Sequence, residues 1–262
     1  MKTAAFYENI RTGAVHDGIS MPEAVSALRG SGLEGIYVSY DSTVQYADEL
    51  AETVRTTGVE ITGLHAWIHF SREGTEARRV IEQAARLGTN HVLIVPVCDG
   101  NDLETLLAGM RDAVSYGKSR NVQVYMEDLD QADSLYNSVE GLQVFMDRIP
   151  DLGCCFDTGN WIMRQEDEVE AFRHFRGRTG ALHLKDRAMT PENPEDAGKE
   201  ILDGTCRYPV PVGRGYIRMG EILDMAGDVP AIVELYDYSP SRMLAGIRAS
   251  VEWVRGRQRA GS

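Results

Sequence analysis

Residues 153–187, GCCFDTGNWIMRQEDEVEAFRHFRGRTGALHLKDR, hold one full strand–helix–strand repeat. The runs GCCFDTG and GALHLKD begin apolar and end polar, as buried strands do where they emerge at a sheet edge. Between them, residues 166–175 carry apolar side chains at helical spacing. The acidic run QEDEVE suits a helix start, where carboxylates meet the positive end of the backbone dipole.

The same alternation extends in both directions. Upstream, the short apolar runs are TAAFYENI, EGIYVSYD, VEITGLHAW, HVLIVPV and VQVYMEDL; downstream there is PAIVELYD, so eight strands are expected. Amphipathic stretches fall between them at residues 21–29, 44–57, 75–87, 103–120 and 139–148, and a last one spans 242–255. Ser20-Met-Pro22 places a hydroxyl cap and a proline at a helix start, and Gly58 and Gly88 stand where helices should stop. Eight strand–helix units in 262 residues predict an α/β fold, a (β/α)8 TIM barrel of one domain over 1–262, because about 250 residues is the usual size of that fold. A doubly wound dinucleotide-binding sheet is disfavoured, since RTGAVHDG follows the first strand and lacks GxGxxG. The stretch 187–217, RAMTPENPEDAGKEILDGTCRYPVPVGRGYI, exceeds an ordinary connection and reads as a lid or binding loop.

Composition narrows the function. A 43% hydrophobic chain of this length buries a large core, and a formal charge of −13 repels phosphate backbones and anionic lipid, so neither nucleic acid nor membrane is an expected partner. Met1–Ile10 carries Glu8 and lacks the continuous apolar core of a signal peptide, which predicts a soluble, cytoplasmic protein. Cys98, Cys154, Cys155 and Cys206 show no CxxC spacing and read as reduced, buried thiols.

Alternation places one residue in two inside a barrel, and barrel active sites sit at the C-terminal strand ends. Tyr125 and Glu127 share the inward face of the fifth strand, and Cys155 and Asp157 that of the sixth. Ala181, His183 and Lys185 share it in the seventh; Ile232, Glu234 and Tyr236 do in the eighth. Glu127, Asp157, His183 and Glu234 should therefore converge. Three carboxylates brought together repel unless a cation balances them, and three oxygens with one imidazole suit Mn²⁺, Mg²⁺ or Co²⁺ better than a thiolate-rich structural zinc site.

The runs VYMEDL, GCCFDTGN, GALHLKDR and AIVELYD, in that order, resemble the sugar phosphate isomerase/epimerase superfamily of xylose isomerase-like TIM barrels. GLEGIYVSYD, GVEITGLHAW and PVGRGYI are similar to further segments of it. The resemblance implies that Glu127, Asp157, His183 and Glu234 ligate a divalent metal and that Glu127 and Glu234 exchange protons with substrate. It also implies a homodimer or homotetramer. The expected activity is isomerisation or epimerisation of a small sugar, keto-sugar or polyol through a metal-stabilised enediolate. A lyase or dehydratase using the same enolate is the alternative, followed by a non-catalytic barrel. Relatives with histidine three residues after the aspartate ligand include the ketose 3-epimerases; this chain has Asn160 there, which argues against that activity on free ketoses and makes Asn160 a substrate-binding candidate.

Other candidates surround the quartet. His65 should face the lumen and hydrogen-bond substrate or cap a core strand. Lys185 either neutralises developing charge or pairs with a carboxylate. Arg187 either binds a carboxylate or phosphate or anchors the long loop. Trp67 and Trp161 are pocket walls or core. His16, His69, His91 and His174 join no constellation in the sequence.

Overall fold

The computed structural model describes residues 1–71 and 75–260. Eight parallel strands close into a barrel: β1 (Thr3–Phe6), β2 (Gly35–Ser39), β3 (Glu60–His69), β4 (His91–Val97), β5 (Gln123–Met126), β6 (Gly153–Asp157), β7 (Thr179–Leu184) and β11 (Ala231–Val233). Neighbours pair in sequence order, and the seam is closed where Thr3, Ala4 and Ala5 of β1 pair with Ala231, Ile232 and Val233 of β11. The expected α/β barrel is the observed one.

The connecting helices start and stop on the signals in the sequence. Helix α2 (Met21–Gly30) opens with a capping box in which the Ser20 hydroxyl accepts from the Glu23 amide and Glu23 accepts from the Ser20 amide. Gly58, at φ 64°, ends α4 (Ala47–Thr57) in the left-handed region that glycine enters without steric cost. Asp167 caps α8 (Glu168–Phe175) by accepting from the amides of Val169 and Glu170, so QEDEVE is a helix start. Helices α5 (Glu76–Arg86), α6 (Leu103–Ser119), α7 (Val139–Arg148) and α10 (Met243–Ala260) complete the expected set.

Four features depart from the sequence reading. The run TAAFYENI is a strand only to Phe6, and Tyr7 begins α1 (Tyr7–Asp17). Its Tyr7, Ile10 and Ala14 are buried at helical spacing. The stretch 44–57 breaks at Tyr46 into α3 (Tyr40–Gln45) and α4. A short helix, α9 (Met219–Ala226), precedes the last strand. The long stretch after β7 is ordered as an antiparallel sheet of β8 (Asp186–Ala188), β10 (Cys206–Val210) and β9 (Lys199–Glu200), with β10 central.

Two buried carboxylates fasten this excursion to the barrel. Asp186 accepts from the amides of Gly213, Gly215 and Arg187. Asp196 accepts from the amides of Asn193 and Ser239 and pairs with Arg242. Inside the barrel, the rings of Tyr37, His91 and Tyr125 fill the space below the strand ends. His91 stacks on Tyr125 at 4.0 Å and its Nε2 lies 3.1 Å from the Tyr37 hydroxyl. Gly153 and Gly180 make room for Tyr125, because a Cβ at either would fall within 2.4 Å of its ring.

Candidate metal and substrate site

The C-terminal ends of four adjacent strands supply the predicted quartet. Glu127 follows β5 directly, Asp157 ends β6, His183 lies in β7 and Glu234 follows β11. Register sets their heights: Asp157 pairs with His183 across β6 and β7, and His183 with Ile232 across β7 and β11. The Nδ1 of His183 is 2.8 Å from Glu127 Oε2 and 3.3 Å from Glu234 Oε2. The imidazole is 1% exposed and is held edge-on by the rings of Phe6 and Tyr37.

Asp157 is oriented from behind. Its Oδ1 accepts from the amides of Gly159 and Asn160, and its backbone oxygen accepts from the indole of Trp161. Trp161 is wholly buried and stacks on Phe156, so of its two expected places it takes the core. Glu127 Oε2, Asp157 Oδ2 and both His183 nitrogens are buried without a hydrogen-bond partner; their approaches to one another have ion-pair distances but not hydrogen-bond geometry. Polar atoms left this way are expensive unless a ligand or ion engages them. Two overlapping sets, Glu127 with Cys155 and His183, and Asp157 with His183 and Glu234, have donor atoms within 4.8 Å of one another. Cys155 is a neighbour the sequence reading treated only as core. Burial, with Glu127 and other charges around it, pushes its thiol well above the usual range.

Lys185 stands among these donors. Its Nζ is 2.7 Å from Glu234 Oε1, 3.0 Å from Asp157 Oδ2 and 2.8 Å from Asn160 Oδ1. Burial lowers its pKa, but Asp157, Glu234 and Asp130 outweigh that and hold the ammonium well above its ordinary value. His183 is raised in the same way, burial being overcome by Glu127, Glu234 and Asp157. Asp157 is raised, chiefly by burial, with Lys185 opposing. Asp128, fully buried beside them, is pushed towards its neutral form by burial and by Asp157 and Glu127.

A cavity of about 200 Å³ opens over Glu127, His183 and Glu234 and is also lined by His65, Trp67, Lys185, Arg187 and Asn160, whereas Asp157 is fully buried and does not line it. His65 stacks parallel to Tyr37 and its Nε2, 3.6 Å from Glu8 Oε2, makes no hydrogen bond there. Trp67 is half exposed at the rim. Asn160 is spent on the chain itself, donating to Asp128 O while accepting from Lys185, so it positions the lysine. Three neighbours were missed in the sequence. Glu8 was hidden because α1 was read as strand; its buried carboxyl falls to about 2, burial opposing and His65 and the Ser39 amide lowering it. Asp130 belongs to the run EDLD beyond β5, and Lys199 to the long excursion, where neither periodicity applies. His91 is a core residue; His16, His69 and His174 make contacts with Asp17, Asp99 and Gln143 away from the quartet.

A closed parallel barrel with a buried acidic and imidazole cluster at its C-terminal strand ends is a (β/α)8 protein with a small-molecule pocket in the usual place for that fold. The chain belongs to the xylose isomerase-like TIM barrel family, whose sequence model matches residues 15–257. Among solved structures it is similar to AsbF, a probable 3-DHS dehydratase involved in petrobactin synthesis from Bacillus anthracis, at 18% identity and TM-score 0.70 over 97% of this chain and 99% of that one. It is similar to the IOLI protein with a bound zinc atom, at 14% identity and TM-score 0.72 over 97% and 98%. The 3-keto-D-glucoside 4-epimerase YcjR from E. coli matches at 14% identity and TM-score 0.69 over 98% and 99%. At such identities the likeness is one of fold. No curated protein matches the sequence.

Proposed function

We propose that the protein is a divalent-metal-dependent isomerase or epimerase of a small sugar, keto-sugar or polyol. The observation that carries this reading is three carboxylates gathered about one imidazole, with buried donor atoms that lack a hydrogen-bond partner, where Glu127, His183 and Glu234 line a monosaccharide-sized cavity. Glu127, Asp157, His183 and Glu234 would hold the ion, and their hard oxygen donors with a single imidazole suit Mn²⁺, Mg²⁺ or Co²⁺. When bound, the ion would polarise adjacent substrate oxygens and make the C–H beside a carbonyl more acidic.

The chain's own groups supply the proton transfers. Glu127 and Glu234 approach the same imidazole nitrogen from different strands, so a substrate carbon above it is open to a carboxylate on either side. One glutamate removes the proton and the other returns it: to the opposite face of the same carbon for epimerisation, or to the next carbon for aldose–ketose exchange. Lys185, paired to Glu234 and Asp157, offers positive charge to the developing oxyanion. Phe6, Trp67 and Leu129 line the cavity and limit water around the reacting carbon.

Glu234→Gln should retain the fold and lose about 10²–10⁴-fold of the rate at which substrate hydrogen exchanges with deuterated water. Exchange at the wild-type rate in that variant removes Glu234 as an acid or base. Elimination is the second reading, favoured by the likeness to a probable dehydratase. Solvent deuterium in an isomeric product supports isomerisation; loss of water with a new double bond supports elimination.

A further inference from the structure

Arg187 is a charged side chain that the proposed chemistry leaves unused. It lines the cavity, its side chain is 5% exposed, and its Nη1 is buried with no hydrogen-bond partner. Its nearest carboxylate, Asp130, is 3.9 Å from Nη2 and is already engaged by Lys199, whose Nζ is 2.6 Å from Asp130 Oδ1. A guanidinium buried without a bidentate partner keeps a desolvation cost that a planar anion in the cavity would offset.

The planar fork of Arg187 matches a carboxylate, and Lys199 lines the same cavity as a second positive group.

We propose that the substrate carries a carboxylate, bound in the corner of the pocket between Arg187 and Lys199; this rests on the enzymatic reading above and names its substrate class. A sugar acid or polyhydroxylated keto acid fits that description. The loop excursion then selects substrate by charge, since Lys199 comes from β9 and Arg187 from β8, and both lie in the same small sheet system. Asp130 holds Lys199 in place until the ligand shares it.

The test is calorimetric binding with matched pairs: D-glucuronate against D-glucose, D-galacturonate against D-galactose, and D-gluconate against sorbitol. Glucose 6-phosphate serves as the phosphate arm. Each is titrated into Mn²⁺-loaded and chelator-treated protein, with metal content measured on the same samples. At least one acid should bind about tenfold or more tightly than its neutral partner. That preference should fall to within about threefold in Arg187→Gln and in Lys199→Gln. The lysine variant, at a partly exposed position, keeps the test valid should the buried arginine variant fail to fold. The inference is overturned if no acid is preferred, if the phosphate binds more tightly than every acid, or if the preference survives both substitutions. A preference that persists in protein taking up no metal sustains the anion site and sinks the metal reading; metal uptake without a preference does the reverse.

Discussion

His183 meets two carboxylates at one ring nitrogen and has its other nitrogen unpaired, which makes it the residue on which the donor set depends. His183→Ala should weaken Mn²⁺ binding by well over the roughly tenfold typical of losing a supporting partner, measured by calorimetry and by metal content after dialysis. Unchanged content would remove it from the set. His91, deeper in the barrel, behaves differently. Burial, reinforced by the charge of His183, lowers its pKa from 6.5 to about 3. The unfolded chain therefore binds a proton below pH 6.5 that the folded chain refuses, and stability is lost as pH falls from 6.5 towards 3, by about 1.4 kcal/mol per unit. Denaturation of His91→Gln should show a shallower fall over that window than the wild type, and equal slopes would disprove the neutral-core role. The quartet was legible in the sequence because period-two alternation assigns inward faces without any structure. Asp130, Lys199 and Glu8 were not, because a loop, an excursion and a misread helix carry no such period.

At the scale of elements, the excursion from β8 to β10 is the part least determined by pattern. Its strands are short and its order comes from side-chain carboxylates capping backbone amides, an arrangement that leaves no repeat to read. Gly215 shows how tightly it is held: a Cβ there would stand 2.0 Å from Asp186 Oδ1 and 2.3 Å from the Arg187 oxygen. Gly215→Ala should cost about 1–3 kcal/mol through that overlap, seen as a lowered melting temperature and faster proteolysis within residues 188–217. Wild-type resistance to protease would mean that Asp186 yields without consequence. The helix termini, by contrast, were readable in advance, since Ser20 and Gly58 each perform a local job that depends on one or two neighbours. The first strand misled because Tyr7 and Ile10 are as apolar as a strand requires, and only their burial at helical spacing distinguishes them.

For the whole molecule, the barrel mouth gathers Asp157, Glu234 and Glu127 about one imidazole, so the fold itself should gain from a cation. Mn²⁺ at about a hundred times its dissociation constant would add about 2.7 kcal/mol to the unfolding free energy. Thermal unfolding should shift upward on loading and return after chelation, and the shift should be absent in Asp157→Asn. Barrel architecture was legible as a count of alternating units, although no local signal says which strand meets which. The seam has a further bearing on how the molecule comes into being. Leu235 N donates to the Asn9 side chain across 226 positions of sequence, alongside the β1–β11 pairing. During synthesis the first strand must wait, one edge unpaired, until nearly the whole chain has left the ribosome. The short first strand and the helix that follows it at once are thus placed where a nascent chain is most exposed to pairing with the wrong neighbour.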